Sequence, residues 1–222
     1  MENIKKIVAE NVLFSGLSDE ELDKITRIGI LKNYGRGESI FFEGDDGDGF
    51  YMVIEGRVKI FKMSLEGKEQ ILHIFGPGEP FGEVPVFHGQ PFPANAMALV
   101  QSKLLFFPRL EFINLVTGNP SLALNMLAML SLRLRRFTTI IENLSLKEVP
   151  GRLASYLVYL SEEQGSSDQV TLDIPKGQLA SLLGTIPETL SRIFAKMSEE
   201  GLIRVEGRTI HINDLNELRE KS

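Results

Sequence analysis

The chain of 222 residues is long enough for one large or two modest domains, and its apolar content of 43% suffices for a packed core. It contains no Cys, which excludes disulfides, thiolate metal sites and Cys-held iron–sulfur clusters. The net charge is −6, and residues 146–222 carry 9 Lys and Arg against 12 Asp and Glu, so weak non-specific binding to DNA is expected. A sequence-specific DNA site is still compatible with this charge, because it needs only a local basic face.

Targeting and catalytic signals are missing from the sequence. Residues 1–6 lack the apolar core of a signal peptide, and the most apolar helical stretch, 122–132, is too short to span a bilayer. We therefore expect a cytoplasmic protein with no membrane partner. No P-loop and no Ser/His/Asp or Cys/His nucleophile set is visible, so an enzyme is not favoured. The Asp- and Gly-rich segment 44–49 lacks the spaced ligands of an EF-hand loop and is interpreted as a turn.

The N-terminal half changes from helical to strand patterning. Residues 1–30 carry apolar side chains at helical spacing, and Ser18 with its acidic successors predicts the start of a second helix. Beyond them, Gly and Pro separate short apolar runs over 39–42, 50–54, 58–63, 70–75 and 97–107. Short strands at this spacing predict an all-β sandwich or roll. A short helix over 111–116 closes this region.

Residues 121–144 predict a long helix with a coiled-coil seam. From Ala123 onward, apolar residues step by four and three for about three heptads, a pattern typical of paired helices. The predicted dimerisation residues are Leu127, Leu130, Leu134, Phe137, Ile141 and Leu144. A second stripe is expected to face the β domain, and it consists of Leu122, Met126, Met129 and Leu132. The alternative is a single amphipathic helix packed on its own domain.

The C-terminal part predicts a helix–turn–helix with a wing. Pro150 and Gly151 follow the long helix, and both residue types interrupt helices, so 147–151 is the best hinge candidate. An amphipathic helix and a short strand follow. Residues 176–197 then predict two short helices around a turn at Gly184, with Pro187 in the first turn of the second helix. Two apolar runs that flank residues 206–208 predict a β-hairpin, and a short terminal helix ends the pattern.

The second helix of this motif carries the chemistry of base recognition. Its apolar residues recur at helical spacing and leave Glu188, Ser191 and Arg192 on the outer side. Arg can pair bidentately with guanine, Glu can accept from cytosine and Ser suits several bases. We therefore predict base contacts at these three positions. Phosphate contacts are predicted for the surrounding polar residues Lys176, Gln178, Thr185, Thr189, Lys196 and Arg208.

Several stretches together carry a family resemblance. They are Phe41-Phe42-Glu43-Gly44-Asp45, the run YMVIEGRVKI over 51–60, Pro80-Phe81-Gly82-Glu83, the long helix, and Leu179-Ala180 followed by Gly184 and Glu188-Thr189-Leu190-Ser191-Arg192. The whole chain resembles the CRP/FNR superfamily of bacterial transcription regulators. The resemblance implies an α+β fold with an N-terminal β-roll, a cyclic-nucleotide-binding-like jelly roll, over 1–118. The implied fold continues with a dimerisation helix over 119–146 and a winged helix-turn-helix DNA-binding domain over 147–222.

The resemblance also implies partners. A Glu-x-x-Ser-Arg pattern in this family goes with FNR-type half-sites related to TTGA, so we expect a homodimer on a palindromic operator in double-stranded DNA. The predicted contacts are Arg192 to guanine, Glu188 to a cytosine amino group on the opposite strand and Ser191 to thymine. If the protein activates transcription, the hairpin tip over 64–69 is a candidate contact for RNA polymerase.

The effector is expected to differ from cyclic AMP. Cyclic-nucleotide members follow Gly-Glu, some ten residues on, with Arg-Ser or Arg-Thr, whereas Gly82-Glu83 here is followed by Phe92 and Pro93. A buried phosphate would lack both a bidentate cation and a hydroxyl donor. The absence of Cys also excludes an FNR-type iron–sulfur sensor. Phe81, Gly82, Glu83, Phe92 and Pro93 are predicted to line an effector pocket, which would take a hydrophobic ligand or simply be core.

Within the superfamily, the chain most resembles the Dnr/HcpR-type branch, over 51–59, 66–69, 141–147 and 187–192. That branch implies haem-dependent sensing of nitric oxide. The predicted cofactor is non-covalent haem b with His73 or His88 as axial ligand, and Met63 and Met97 are further candidates. The alternative from another class is a module that binds a cyclic nucleotide or a hydrophobic ligand and acts through protein contacts alone.

Overall fold

The computed structural model describes residues 2–221, with side chains described from Ile4 onward. It divides into two compact units. One takes in the described residues up to Lys68 together with Leu72–Arg135, and the other takes in Glu69–Ile71 and the described residues from Arg136 onward. The border therefore falls inside the long helix, whereas the sequence-based boundaries lie at 118 and 146.

The first unit begins with two helices, α1 (Glu2–Glu10) and α2 (Asp19–Ile28), joined through a 3₁₀ turn over Val12–Phe14. A capping box starts α2. The Ser18 hydroxyl accepts from the Glu21 N–H at 3.3 Å, and the Glu21 carboxylate accepts from the Ser18 N–H at 2.7 Å. The helix start predicted from the sequence is therefore confirmed.

Two four-stranded antiparallel sheets form the roll. The strands of this unit are β1 (Ile30–Tyr34), β2 (Ser39–Phe41), β3 (Gly49–Glu55), β4 (Val58–Met63), β5 (Glu69–Phe75), β6 (Pro80–Phe81), β7 (Asn95–Ala98) and β8 (Ser102–Pro108). One sheet has the order β1-β8-β3-β6 and the other β2-β7-β4-β5. The single strand predicted over 97–107 is wrong, because the chain turns after Ala98 and β7 and β8 belong to different sheets. Strand β1 had not been predicted.

Strand β3 supplies two separate cores from its two faces. Phe50 and Met52 pack in a cluster with α1, α2 and the long helix, whereas Tyr51 and Val53 pack in an aromatic cluster inside the roll. This follows from the alternation of side chains across a strand. Both faces are covered, and the strand therefore reads as a continuous apolar run rather than as an alternating one.

The remaining helices of this unit are α3 (Val84–His88), which was not predicted, α4 (Arg109–Gly118) and the first part of α5 (Pro120–Leu146). On α5, Leu122, Met126 and Met129 are buried, as predicted, but Leu132 is 60% exposed. The prediction for Leu132 is wrong because the next α5 residue to reach the roll is Arg133, which donates to the Pro80 carbonyl. Within residues 2–221 no single helix is long and apolar enough to cross a membrane, and only the bent pair α4–α5 meets that criterion, by length and composition alone.

The second unit contains the end of α5, then α6 (Val149–Gln164), α7 (Lys176–Leu182), α8 (Pro187–Glu199) and α9 (Leu215–Glu220). A three-stranded sheet accompanies them, built from β9 (Gln169–Thr171), β10 (Ile203–Glu206) and β11 (Thr209–Ile212) in the order β10-β11-β9. Pro150 and Gly151 lie in the first turn of α6 rather than in a hinge. Proline is tolerated there because the first N–H groups of a helix need no intrahelical partner.

Candidate functional site

The helix–turn–helix is closed by a glycine in the left-handed region. Helix α7 ends with the Thr185 N–H donating to the Ala180 carbonyl at 2.9 Å and the Gly184 N–H donating to the Ser181 carbonyl at 3.4 Å, the two bonds of a Schellman motif. Gly184 has φ +70°, and a Cβ there would stand 2.9 Å from Leu144 Cδ2. The predicted break at Gly184 is confirmed, and a side chain there would be strained by the positive φ and would displace the end of Leu144.

Helix α8 separates an apolar face from a polar one, as the sequence predicts. Its buried residues are Leu190, Ile193, Phe194 and Met197. Glu188, Ser191 and Arg192 are all exposed, within the first two turns of the helix. The Arg192 guanidinium donates to the Thr189 hydroxyl at 3.2 Å. One helix end therefore presents a cation, a carboxylate and a hydroxyl together, the donor and acceptor set that reads base edges in a major groove.

The six predicted phosphate contacts differ in their surroundings. Lys196 and Arg208 are exposed, and Lys196 lies 3.9 Å from Glu200 on α8. The Lys176 ammonium stands 4.9 Å over the Phe194 ring, so this lysine packs on the helix that carries the base-contact residues. Gln178 is half-buried, and its Oε1 has no hydrogen-bond partner within residues 2–221. Gln178 is a weaker candidate for a phosphate contact than Lys196 or Arg208, because its amide is neutral and half-buried whereas they are exposed cations.

The wing is an antiparallel hairpin of β10 and β11 with Gly207 at its turn, at φ +64°. Side chains of the two strands meet near the turn, since the Glu206 carboxylate lies 3.3 Å from Arg204 and 3.2 Å from the His211 ring. Arg208 sits in the turn and is exposed. The predicted β-hairpin is therefore confirmed, and Arg208 is its exposed cation at the tip.

The predicted seam is an exposed apolar row along α5. Leu127, Leu130, Leu134, Phe137 and Ile141 have between 37% and 67% of their surface exposed. Leu144 at its end is half-buried against Gly184. A continuous exposed apolar row on a helix is typical of an interaction surface.

The residues predicted to line an effector pocket are mostly core. Phe92 stacks on Phe41 with ring centroids 3.7 Å apart and planes within 6°, and Phe81 belongs to the same aromatic cluster. Gly82, at φ +76°, lies against this stack, so that a Cβ would stand 3.2 Å from Phe41. Pro93 is exposed and does not join the cluster. In this geometry Phe81 and Phe92 fill the interior rather than line an open pocket.

Arg133 lies outside the predicted seam of α5 and is the partner of Glu83. Its guanidinium donates to the Glu83 carboxylate and to the Pro80 carbonyl, and it lies 5.3 Å from the Phe75 ring centroid. The Glu83 side chain is 9% exposed, so its charge is balanced inside the protein. Glu83 therefore fixes α5 to the roll in this geometry. The only sequence signal is that Arg133 is the first of three arginines that interrupt the apolar helix.

The two candidate haem ligands are differently placed. His73 Nε2 lies 3.6 Å from a Glu79 oxygen, and its ring meets Phe75 edge-on with centroids 4.4 Å apart. An iron at Nε2 would have to take the place of Glu79. His88 is exposed at the end of α3. Residues 2–221 contain no group of three or more His, Cys, Asp and Glu side chains that could hold a metal ion. A haem would fit at His73 only if Glu79 moved, whereas the exposed His88 ring is open to solvent.

Comparison with known proteins gives consistent matches. Residues 31–119 match the cyclic nucleotide-binding domain model and residues 151–221 the Crp-like helix-turn-helix domain model. The chain is 34% identical to the cyclic AMP receptor protein of Thermus thermophilus, over 94% of this chain and 95% of that protein. It is 29% identical to the CRP-like cAMP-activated global transcriptional regulator of Mycobacterium tuberculosis, over 98% of this chain and 99% of that protein. The crystal structure of DNR from Pseudomonas aeruginosa is similar at 32% identity and a TM-score of 0.53, covering 100% of this chain and 99% of that one.

Proposed function

The chain belongs to the CRP/FNR family of DNA-binding transcription regulators, and from that premise we propose that it acts as a homodimer on a palindromic operator with TTGA-like half-sites. Its relatives are regulators and not enzymes. The observation that carries the proposal is the exposed trio Glu188, Ser191 and Arg192 at the start of α8. The cytoplasm is the compartment that this function requires.

Each member of the trio has a distinct task. Arg192 donates two hydrogen bonds to the O6 and N7 atoms of guanine, Glu188 accepts from a cytosine amino group and Ser191 contacts thymine. The hydrogen bond from Arg192 to Thr189 holds the guanidinium near the first turn of the free protein's helix. Lys196 and Arg208 position the protein by phosphate contacts that carry no sequence information.

The palindrome follows from the seam on α5. A second copy of the chain would cover the exposed row from Leu127 to Ile141, and a two-fold dimer presents two recognition helices. Their target half-sites then lie about one helical turn of DNA apart. The C-terminal region is slightly acidic, since residues 146–222 carry 9 basic and 12 acidic side chains. Affinity must therefore rest on a few specific contacts, and non-specific binding should be weak.

Titration of a labelled TTGA palindrome by fluorescence anisotropy tests the proposal. Arg192→Ala is expected to weaken binding by about 1–3 kcal/mol and to abolish the preference for guanine over adenine at that position. Lys196→Ala serves as the matched control, because loss of a phosphate contact weakens binding to all sequences equally. Unchanged binding of Arg192→Ala to the intact palindrome contradicts the assignment. A wild-type protein that does not distinguish the palindrome from a scrambled duplex favours the alternative, a module that acts through protein contacts alone.

The proposed effector is nitric oxide, sensed through a non-covalent haem, and it rests on the resemblance to the Dnr/HcpR-type branch. Relatives named for cyclic AMP are similar over the whole chain, but Phe92 and Pro93 replace the phosphate-binding pair here. Haem titration of the purified protein tests the idea. A Soret shift that His73→Ala abolishes and His88→Ala leaves intact would support His73 as ligand, and the reverse pattern would support His88. No shift beyond that of a non-specific control protein, with operator binding unaffected by nitric oxide, would refute it.

RNA polymerase is the proposed partner if the protein is an activator. The tip of the β4–β5 hairpin is exposed over residues 62–68, and Leu65 at its end is fully accessible. An exposed apolar residue framed by charged neighbours suits a protein contact. In transcription with purified polymerase, Leu65→Ser would lower activation without changing operator affinity.

A further inference from the structure

Arg152, near the start of α6, joins two helix ends that lie far apart in the sequence. Its Nε donates to the carbonyls of Asn143 and Lys147 at 3.1 and 3.0 Å. Its Nη2 donates to the Leu144 carbonyl and its Nη1 to the Leu183 carbonyl, both at 2.9 Å. Asn143 and Leu144 belong to the last turn of α5, and Leu183 caps the C-terminal end of α7. One guanidinium therefore connects the long helix to the turn of the helix–turn–helix.

Two of the acceptors, the Leu144 and Leu183 carbonyls, lie at helix ends that need such a donor, whereas the Asn143 carbonyl also accepts from the Lys147 N–H at 3.2 Å. The last four carbonyls of an α-helix have no intrahelical partner, and the C-terminal end carries partial negative charge. Helix α5 has no basic residue in its own last turn, and neither has α7. The charge of Arg152 therefore meets the negative ends of both helices at once. The side chain is half-buried, which reduces competition from water.

Packing around the turn reinforces the same junction. Gly184 lies so close that a Cβ would stand 3.2 Å from Arg152 Nη1 and 2.9 Å from Leu144 Cδ2. The turn that leads into α8 is thus in contact with both the guanidinium and the last turn of α5. A planar fork with five donors can serve separate acceptors in fixed directions, whereas a lysine ammonium offers one point of charge on a flexible stem.

We propose that Arg152 is a positioning residue for DNA recognition, which fixes the direction of α8 relative to the end of α5. This proposal rests on the proposed function. In a dimer paired along α5, the spacing and rotation between the two recognition helices are set where each helix–turn–helix joins α5. Shifting one half-site by a single base pair rotates it by about 34–36° around the DNA axis. Arg152 would therefore determine how strictly the protein selects half-site spacing.

The experiment measures binding to a series of TTGA palindromes whose spacer is shortened or lengthened by one or two base pairs. Wild-type protein is expected to prefer one spacing by about tenfold or more, the usual scale of a lost specific contact. Arg152→Gln is expected to bind the preferred spacing about tenfold more weakly and to show a flattened profile, with differences below about threefold. Arg152→Lys keeps the charge and should fall between the two. Arg219→Gln is the matched control, since it removes a cation of the same unit that pairs with Glu162 on the surface.

The spacing profile separates positioning from mere stability. A loss of folded or dimeric protein lowers affinity for every spacing by the same factor and leaves the shape of the profile unchanged. If Arg152→Gln is too unstable to purify, Arg152→Lys carries the test. A variant profile with the wild-type shape, at whatever affinity, overturns the proposal. A wild-type protein with no preference for any palindrome instead contradicts the proposed function, so the two failures are distinguishable.

Discussion

Removal of the Arg133 side chain should destabilise the protein through the charge that it leaves behind. Arg133→Met deletes the ion pair with Glu83 and the hydrogen bond to the Pro80 carbonyl but keeps most of the apolar stem. Breaking a fully buried pair in this way costs about 3–5 kcal/mol. The two side chains are 20% and 9% exposed, so water can reach part of the site. We therefore expect a loss of roughly 2–4 kcal/mol in the free energy of unfolding.

A double-mutant cycle gives the decisive measurement. Glu83→Gln alone also destabilises, because it leaves the guanidinium without its counter-charge. In the double variant neither charge is unpaired, so its cost should fall short of the sum of the single costs by at least about 1 kcal/mol. Urea unfolding at neutral pH and fixed protein concentration reports these values, since the proposed dimer would make stability concentration-dependent. Lys24→Met, which removes an exposed pair with Glu20, is the control and should change stability by less than about 0.5 kcal/mol. Additive single costs would show that Arg133 and Glu83 do not act as a pair.

Three further predictions address the dimer, the acid stability and the turn. Leu134→Lys should convert the proposed dimer to a monomer by placing a charge in the seam, whereas Leu132→Lys, on a similarly exposed part of α5, should not. Sedimentation velocity distinguishes the two outcomes. Hydrogen bonds from the Ser18 N–H and hydroxyl hold the pKa of Glu21 below its ordinary value, so its stabilisation is present above that value and is lost as the pH falls through the lowered pKa. Glu21→Gln should therefore reduce the fall in melting temperature on acidification below about pH 4.5, and an unchanged fall would contradict it. Gly184→Ala should cost about 1–3 kcal/mol, because φ is +70° and the new Cβ meets Leu144, and melting curves that match the wild type would refute this.

The elements that the sequence predicted well are those whose signals are local. The start of α2 depends on Ser18 and Glu21, three residues apart, and the end of α7 depends on a glycine that alone tolerates its φ. The turn between β7 and β8 has no such residue. Leu99 there donates to the Arg57 carbonyl at 2.8 Å, a partner 42 positions earlier in the numbering. A turn that is held by a residue distant in sequence leaves no signal in its own composition, and the run over 97–107 therefore resembles one strand.

The residues of the candidate site also differ in whether local sequence signals predict their role. The exposure of Glu188, Ser191 and Arg192 follows from helical periodicity, which needs only the residues of α8 itself. The role of Arg133 depends on Glu83, which lies 50 residues away in sequence. The role of Arg152 depends on Leu183, which lies 31 residues away. The residue pattern within one helix cannot identify such distant acceptors. An arginine inside an apolar helix indicates that a partner exists, but only the tertiary structure shows which one.

The aromatic cluster limits how an effector can act on the roll. Phe92 stacks on Phe41 in the segment where the family resemblance implies a phosphate-binding pair, and both rings are buried. A ligand that enters between Phe41 and Phe92 must separate the stacked rings, whose interaction contributes about 0.5–1.5 kcal/mol to stability. It must also expose a phenyl ring whose burial contributes about 1.5–3 kcal/mol. The sum lowers the apparent affinity by roughly 30- to 2,000-fold, unless ligand atoms take over the contacts of the displaced ring. An apolar ligand can do so and a cyclic nucleotide phosphate cannot, which supports the proposal that the effector is not cyclic AMP.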